Sequence, residues 1–447
     1  MKITADFAKI TGKVKPMHGV GQPPMMGQST HFYHYLKEAG IPYSRLHDVG
    51  GWLGGGLYVD IPNLFRNFDA DENLPESYDF AFTDWLLSHI VEQGTEPFFR
   101  LGVTIENAFK TKSYNIFPPK DPEKWARICE HVVRHYNEGW ANGFHFGIKY
   151  WEIWNEPDNA PDPDENPMWK GTKEQYFKLY ECTSRHLKAC FGDSIKVGGF
   201  ASCGFYGMQS DPDCIGMEGK PTSDRNEYFI EFFREFLKYI SSEEHKSPLD
   251  FFSWHTYASV PVALKHADYC RKVLNHYGFE NVEDILNEWN TCPHETRRAT
   301  PYAASNIMAM MLGMQKKSPS VLCFYDARVG TSIYGGLFDP STWQPFLSYY
   351  TLVSFNQAYK KENEVETASD DPNVFVLGAT KNGRSILLLS NINDHPVTAE
   401  LALKGVDLSD SEVLRIDDIH KYTLTGETVE NGKIVLPAYS CAEIRLG

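Results

Sequence analysis

Short β-rich segments alternate with segments of helical period between about residue 14 and residue 360. Each β segment is about four to eight residues long and is bounded by Gly, Pro or Asp, as is typical of strands in a parallel sheet. The eight segments are KPMHGV, PYSRLHDV, PFFRLGV, KYWEIWNE, IKVGGFA, DFFSWHTY, DILNEWN and VLCFYDA. Predicted helices lie between them, such as DPEKWARICEHVVRHYNEG, which opens with Asp-Pro and ends with Gly. The pattern predicts an α/β fold, a (β/α)8 TIM barrel with enlarged loops.

An open, doubly wound sheet is the competing architecture. Such a sheet usually carries a Gly-rich phosphate turn after its first strand. The glycine-rich segment GGWLGGGLYVD follows the second predicted strand instead, and it contains no G-x-G-x-x-G motif. We interpret it as an active-site loop that carries Trp52.

The pattern changes after about residue 360, where NVFVLGATKNGRSILLLSNINDHPVTAELALKGVDL alternates apolar and polar residues between turn signals. This alternation predicts a small β-sandwich. We therefore divide the chain into a barrel over residues 1–358 and a β-sandwich over residues 359–447. The first 12 or so residues either add a strand to the sandwich or lead into the barrel.

Composition and charge exclude several classes of partner. Hydrophobic residues make up 42% of the chain and charged residues 23%, as in a folded globular protein. The net charge of -16 would repel a phosphate backbone or an anionic membrane surface, so neither nucleic acid nor a membrane is expected as a partner. A homo-oligomer is left open.

No segment has the long apolar run of a signal peptide or a membrane span. We expect a cytoplasmic protein, or a secreted or periplasmic one if a leader has been removed. The nine cysteines are scattered and never form a C-x-x-C pair, which favours reduced thiols over disulfides or a zinc site. The H-x-H motif of metal-dependent barrel hydrolases is absent after the first predicted strand, so we predict no catalytic metal and no cofactor.

Polar residues close several of the predicted strands. In a TIM barrel the carboxyl ends of the strands face the catalytic mouth, so these residues are the candidates for function. They are Arg45 and His47 on the second strand, Asn155 and Glu156 on the fourth, His255 and Tyr257 on the sixth, and Glu288 on the seventh. Arg45 and His255 also have a structural interpretation, as a rim ion pair and a core histidine.

Two carboxylates across an aromatic-lined mouth are what the hydrolysis of a glycosidic bond requires, since one protonates the leaving oxygen and the other assists at the anomeric carbon. Aromatic residues make up 14% of the chain. Those predicted in loops or at strand ends could stack on sugar rings, although many such residues belong to protein cores. They are Trp52, Tyr114, Trp169, Tyr206 and Trp343.

The motifs WEIWNEP and LNEWN, in this order, resemble the acid/base and nucleophile motifs of the clan A retaining glycoside hydrolases. Within that clan, YWEIWNEPDN, SRLHDV and FFSWHTY are most similar to family 39, which includes β-xylosidases and α-L-iduronidases. The resemblance covers about four fifths of the chain and implies a barrel followed by a β-sandwich. It implies that Glu156 is the general acid/base and Glu288 the nucleophile.

The resemblance also implies supporting roles for other strand-end residues. Asn155 matches the residue that binds the sugar 2-hydroxyl, and Arg45 matches the arginine that keeps the nucleophile ionised. His255 and Tyr257 match a pair whose hydrogen bonds support the site. We place His47, Trp52 and Trp343 with the substrate-binding residues.

The opening KPMHGVGQPPMMG departs from the family's xylosidases, and PDNAPDPDENPMWKGT is an insertion that would reshape the mouth. Few Lys or Arg residues fall in the predicted loops, so we favour a neutral sugar over a uronic acid. We expect an exo-acting hydrolase of β-xyloside-like substrates. The alternatives are an endo-acting clan A glycanase, a glycosidase for another sugar on the same pair, and a non-catalytic carbohydrate-binding barrel.

The fourth strand carries a second acid, Glu152, on the same face as Glu156. We predict that Glu156 lies at the mouth and that Glu152 lies one layer deeper. A buried acid needs a partner, and Arg100 and Arg45 are the candidates. Glu152 is thus expected to support the site and Glu156 to take part in the chemistry.

Overall fold

The computed structural model describes residues 1–26, 29–51, 57–104, 116–211, 223–291, 296–409, 411–427 and 429–446. The strands in chain order are β1 (Lys2–Lys13), β2 (Gly19–Gly21), β3 (Tyr43–Arg45), β4 (Gly50–Gly51), β5 (Leu57–Tyr58), β6 (Glu96–Leu101), β7 (Tyr150–Ile153), β8 (Lys196–Ser202), β9 (Phe251–Thr256), β10 (Glu283–Trp289), β11 (Val321–Tyr325), β12 (Asn363–Ser369), β13 (Val374–Lys381), β14 (Arg384–Asn391), β15 (Val397–Lys404), β16 (Glu412–Ile416), β17 (Lys421–Leu424), β18 (Lys433–Leu436) and β19 (Ser440–Leu446). The α-helices are α1 (His34–Ala39), α2 (Ile61–Leu64), α3 (Ala81–Glu92), α4 (Pro122–Glu138), α5 (Lys173–Phe191), α6 (Asp224–Ser241), α7 (Val260–His276), α8 (Pro301–Gln315) and α9 (Leu347–Tyr359).

Eight parallel strands close into a barrel in the order β2, β3, β6, β7, β8, β9, β10, β11, with β11 pairing back to β2. The predicted (β/α)8 barrel is therefore confirmed, and each barrel strand lies within one of the eight β segments or extends at most one residue beyond it. Because the strands are parallel, all their carboxyl ends open onto one mouth.

Helix boundaries follow local capping chemistry. Asp121 precedes α4 and accepts hydrogen bonds from the backbone N–H groups of Glu123 and Lys124, and Gly139 ends the helix at φ 78°. Thr172 and Gln175 form a reciprocal capping box at the start of α5. These helices pack on the outside of the barrel and fix the strands that carry the site.

The C-terminal part of the chain forms a nine-stranded mixed sheet in the order β17, β16, β19, β14, β13, β12, β1, β15, β18. The N-terminal strand β1 lies inside this sheet, antiparallel to β12 and parallel to β15. One face buries a separate core that includes Ile3, Leu389 and Ile444, and the opposite face packs against the barrel helices through residues such as Leu388. This is the expected β-sandwich next to the barrel. The domain boundary at residue 358 stays a prediction.

Much of the aromatic content lies in the barrel core. The fully buried tryptophans include Trp125, Trp151, Trp154, Trp169, Trp254 and Trp289. Trp169 packs edge-on against Trp154 and Tyr176, so it is a core residue and not a sugar platform. Among the described helices, none combines the length and apolar character needed to cross a membrane.

Candidate active site

The backbone leaves strand geometry immediately before Glu156. Strand β7 ends at Ile153, and Trp154 and Glu156 both have left-handed conformations, with φ of 76° and 45°. Such conformations cost non-glycine residues free energy and are concentrated at functional sites. The backbone N–H of Trp154 donates to the carbonyl of Leu101 and that of Glu156 donates to the carbonyl of Ala201, which holds this turn between β6 and β8. The turn presents Glu156 at the mouth, while Glu152 remains within the strand and fully buried.

Arg45, at the end of β3, lies at the centre of the site with its side chain fully buried. Its Nε donates to Glu152 Oε2 at 2.8 Å, its Nη1 donates to Glu288 Oε2 at 3.0 Å, and its Nη2 donates to Asn155 Oδ1 at 2.6 Å. Burial alone lowers the pKa of Arg45, but the Glu152 and Glu288 carboxylates outweigh burial and raise that pKa above its ordinary value. The guanidinium therefore remains charged and joins three strands.

Glu152 pairs with Arg45 and not with Arg100, the other candidate partner. Arg100 donates instead to Asp60 Oδ1 at 2.7 Å. The second carboxylate oxygen of Glu152 accepts a hydrogen bond from the side-chain amide of Asn287. Both oxygens of this buried acid are thus satisfied one layer below the mouth, where Glu152 supports the site.

Glu288 and Glu156 have different neighbours. Glu288 Oε1 accepts a hydrogen bond of 2.5 Å from the Tyr257 hydroxyl, and Glu288 Oε2 accepts one from Arg45. Glu156 Oε1 lies 2.7 Å from His255 Nδ1, and Glu156 Oε2 accepts a hydrogen bond of 2.8 Å from Asn159 Nδ2. Glu288 thus faces a cation and a phenol, whereas Glu156 faces an imidazole and an amide.

The two carboxylates lie close to each other across the mouth. One oxygen of Glu156, one oxygen of Glu288 and a ring nitrogen of His255 all lie within 4.8 Å of one another. A retaining glycosidase places its two carboxyl groups about 5 to 5.5 Å apart, and an inverting one about 6.5 to 9.5 Å. The observed approach of the two oxygen atoms is compatible with the first geometry.

Burial is the largest influence on both glutamates and raises the pKa of each above its ordinary value. Arg45 and Tyr257 stabilise the ionised form of Glu288 through direct hydrogen bonds. These direct contacts make Glu288 the expected carrier of the negative charge when the pair shares a single proton. Burial lowers the pKa of His255 to about 4, so the imidazole between the two carboxylates is neutral near pH 7.

A cavity of about 420 Å³ opens at the two glutamates. Its lining includes the expected residues His47, Asn155, Glu156, Tyr257 and Glu288. It also includes residues that the sequence interpretation missed, namely Asp48, Met168, Tyr325, Asp326, Arg328, Thr331, Ser332, Ile333 and Tyr334. Asp326 directly follows β11, so the strand-end criterion applied to that strand would have found it. The residues from Arg328 to Tyr334 lie in a loop whose sequence shows no periodic signal.

The other residues expected to bind substrate differ in whether they line this cavity. His47 lines the cavity, and burial together with Arg100 and Arg45 lowers its pKa well below the ordinary value. Trp52 and Tyr114 lie outside the described residues. Trp343 is 44% exposed, packs edge-on against Phe32 and is not among the described lining residues of the cavity, so its role in binding stays a prediction.

Two side-chain groups in the described ranges bring three metal-ligand atoms close together. One consists of Glu156, His255 and Glu288, and the other of Glu130, His186 and Cys190 on the outer helices. In the first group Arg45 already occupies an oxygen of Glu288, and its positive charge opposes a second cation there. The absence of a catalytic metal stays a prediction. The seven cysteines within the described ranges are free thiols.

These features define a TIM barrel with two facing carboxylates at its mouth, and comparisons with known proteins agree. The model of glycosyl hydrolases family 39 matches residues 3–309. The β-xylosidase of Geobacillus stearothermophilus is 28% identical over 53% of this chain and 42% of its own length, and that of Caldicellulosiruptor saccharolyticus is 24% identical over 91% and 83%. The crystal structure of a glucosidase from Croceicoccus marinus superposes with a TM-score of 0.75 at 19% identity, covering 100% of this chain and 98% of that one.

The chain belongs to glycosyl hydrolases family 39. The alignment spans less than half of the Geobacillus protein, so the substrate is argued below from the site itself.

We expect Glu152→Gln to destabilise the protein. The substitution keeps the shape but removes the charge that compensates the buried Arg45, and breaking a buried ion pair typically costs about 3–5 kcal/mol. The free energy of unfolding from urea titration measures the loss. The control is Glu366→Gln, which breaks an exposed ion pair with Lys9 and should cost no more than about 1 kcal/mol. Equal effects of the two variants would contradict a supporting role for Glu152.

Proposed function

We propose that this protein is a retaining, exo-acting glycoside hydrolase that cleaves a neutral, β-xyloside-like sugar by double displacement. Glu156 is the general acid/base and Glu288 is the nucleophile. The observation that carries the proposal is the pair itself, with two carboxylate oxygens within 4.8 Å and different hydrogen-bond partners on each side. A retaining reaction needs the two carboxyl groups about 5 to 5.5 Å apart, and this spacing is compatible with that requirement.

In the first step the Glu288 carboxylate attacks the anomeric carbon while the bond to the leaving oxygen breaks. Glu156 transfers its proton to that oxygen, so the leaving group departs as a neutral alcohol. Arg45 and Tyr257 hold Glu288 ionised before attack. Burial raises the pKa of Tyr257, so its hydroxyl remains protonated and keeps donating.

In the second step Glu156, now ionised, removes a proton from water, and the water oxygen displaces Glu288 from the anomeric carbon. While Glu288 is bonded to the sugar it carries no charge. Arg45 is still compensated at that stage, because Glu152 pairs with it through a separate nitrogen. Glu152 thus keeps the buried guanidinium neutralised through the whole cycle.

Two groups in the cavity are suited to sugar hydroxyls. Asn155 Oδ1 accepts from Arg45, so the amide is oriented with its Nδ2 available to donate to the 2-hydroxyl. His47 Nε2 lies 3.2 Å from Asp48 Oδ1, and its buried Nδ1 has no hydrogen-bond partner among the described residues. Both His47 and Asp48 line the cavity, where they can offer hydrogen-bonding atoms to sugar hydroxyls.

The charge of the lining supports a neutral sugar. Among its described lining residues, the cavity brings the carboxyl groups of Asp48, Glu156, Glu288 and Asp326 together with the guanidinium of Arg328. A uronic acid would meet net repulsion there. The xylosidase names of the curated relatives support a β-xyloside, and the glucosidase superposition keeps another neutral sugar as the alternative.

The exo-acting mode is supported by the size of the cavity. Its volume of about 420 Å³ is at the lower end of the roughly 300–1,000 Å³ typical of small-molecule sites. An endo-acting glycanase on the same catalytic pair remains the alternative mode.

We expect Glu156→Ala to lose activity according to the leaving group. General acid catalysis contributes about 10²–10⁴-fold, and that contribution matters least for leaving groups that need no proton. Hydrolysis of 4-nitrophenyl β-xyloside should fall far more than that of the 2,4-dinitrophenyl analogue. Azide should partly restore turnover, because a small anion can attack the intermediate without a base.

The matched variant for this test is Glu288→Ala, which should lose activity with both leaving groups equally. Product NMR of the wild type should show retention at the anomeric carbon. Normal turnover in either variant, or an inverted product, would refute the proposed roles.

We expect Tyr257→Phe to move the acidic limb of the pH profile of kcat/KM to higher pH. The lost hydrogen bond stabilised ionised Glu288, so its removal raises the pKa of the nucleophile, which attacks only above that pKa. A hydrogen bond to a charged group corresponds to a shift of roughly one to two pH units. Tyr334→Phe, on another phenol lining the cavity, is the control. An acidic limb that does not move would show that Tyr257 does not tune Glu288.

A further inference from the structure

A second cavity, of about 540 Å³, lies against Glu156. It shares Glu156, Tyr257 and Tyr334 with the first cavity, whereas Glu288 and Asn155 line the first cavity alone. Its remaining lining residues are Asn159, Pro167, Cys203, Tyr206, Arg225, Asn226 and Phe229. Glu156 is therefore a common wall between two spaces, only one of which reaches Glu288.

In the proposed reaction these two spaces have different occupants. The sugar whose anomeric carbon is attacked must touch Glu288, so it binds in the first cavity. The group that leaves takes a proton from Glu156 and has no need to contact Glu288. We propose that the second cavity is the leaving-group subsite, that it binds a second sugar unit, and that Arg225 selects for that unit and positions Asn159. This inference rests on the proposed function and extends it to a saccharide as the leaving group.

The lining of the second cavity suits a sugar ring better than a purely aromatic group. The guanidinium of Arg225 lies 5.2 Å from the centre of the Phe229 ring, which leaves a flat polar surface above an apolar one. The amides of Asn159 and Asn226 add donors and acceptors. Sugar units combine C–H faces with hydroxyl edges, and this lining offers partners for both.

Arg225 has donors to spare for such a ligand. Its Nε donates to the backbone carbonyl of Asn159 at 2.6 Å and its Nη2 donates to Asn159 Oδ1 at 2.7 Å. In the part of the chain that the structure describes, no carboxylate lies within 4.0 Å of this guanidinium. A guanidinium has five N–H groups, so several remain for hydroxyl oxygens of a bound sugar.

The same two hydrogen bonds connect the second cavity to the acid/base. Because Arg225 holds Asn159 Oδ1, the amide must turn its Nδ2 toward Glu156, and Nδ2 donates to Glu156 Oε2 at 2.8 Å. The charge of Arg225 and the hydrogen bond from Asn159 both oppose the effect of burial, which raises the pKa of Glu156. A sugar that contacts Arg225 is thus connected through Asn159 to Glu156, the carboxyl group that protonates the leaving oxygen.

The test compares two substrates that share a glycone and differ in leaving group, xylobiose and 4-nitrophenyl β-xyloside. We expect R225M to lower kcat/KM for xylobiose by about 10–100-fold, the range for a lost charged hydrogen bond, and to affect the nitrophenyl substrate much less. N226A should lower it for xylobiose by about two- to tenfold, mainly through KM. The control R384M removes an exposed arginine of β14 and should leave both substrates unchanged.

The pH profile separates positioning from simple binding. Without Arg225 the pKa of Glu156 should rise, so the acid stays protonated to higher pH and the alkaline limb of kcat/KM should move upward in R225M. N226A, which leaves Asn159 in place, should keep the wild-type limb. R225K retains the positive charge but cannot form both hydrogen bonds to Asn159, so its alkaline limb should lie between those of the wild type and R225M. This variant also controls for misfolding of R225M.

An equal loss on both substrates in R225M, or unchanged xylobiose hydrolysis in both variants, would overturn the leaving-group subsite. An unmoved alkaline limb in R225M would overturn the positioning role. If the wild type cleaves no β-xyloside, the proposed sugar is refuted instead. In that case kcat/KM of the variants is compared between the aryl glycoside and the disaccharide of the neutral sugar that the enzyme does cleave.

Discussion

Arg45 carries a positive charge at the barrel mouth, where its side chain has no exposure to solvent. Placing a charge there costs several kcal/mol unless partners with good geometry surround it. The chain supplies such partners from two other strands, with Glu152 and Asn155 contributed by β7 and the turn after it, and Glu288 by β10. The position of Glu288 and the orientation of Asn155 therefore depend on one guanidinium.

This arrangement also explains how two buried glutamates a few ångströms apart can have different tasks. Burial disfavours ionisation of both, and each disfavours ionisation of the other. Arg45 and Tyr257 donate directly to Glu288, whereas Glu156 contacts the neutral His255 and the amide of Asn159, and the charge of Arg225 acts on it from beyond Asn159. This difference in hydrogen-bond partners favours the negative charge on Glu288, as the proposed double displacement requires.

The barrel was predictable because eight β segments alternate with helices in the sequence. The meeting of Glu156 and Glu288 was predictable because parallel strands bring their carboxyl ends to one mouth. The choice between Arg45 and Arg100 as the partner of Glu152 was not decidable. It depends on Asp60, which forms an ion pair with Arg100. Asp60 precedes a helix of four residues, which is too short to show a periodic pattern in the sequence. Arg225 and Asn159 come from a helix start and a loop, and their contact with Glu156 exists only in three dimensions. Local sequence patterns likewise could not show whether Trp169 is a core residue or a surface on which a sugar stacks.

The most direct test of the account is to trap the covalent intermediate and locate it. A 2-deoxy-2-fluoro β-xyloside with a dinitrophenyl leaving group should inactivate the enzyme, because the fluorine slows both steps while the activated leaving group keeps the first step fast enough for the intermediate to accumulate. Mass spectrometry of the digested protein should then find one sugar on the peptide that contains Glu288. A label on Glu156 or Glu152 would contradict the assignment of Glu288 as nucleophile. Turnover of ordinary xylosides with an inverted product and no trapped sugar would contradict double displacement.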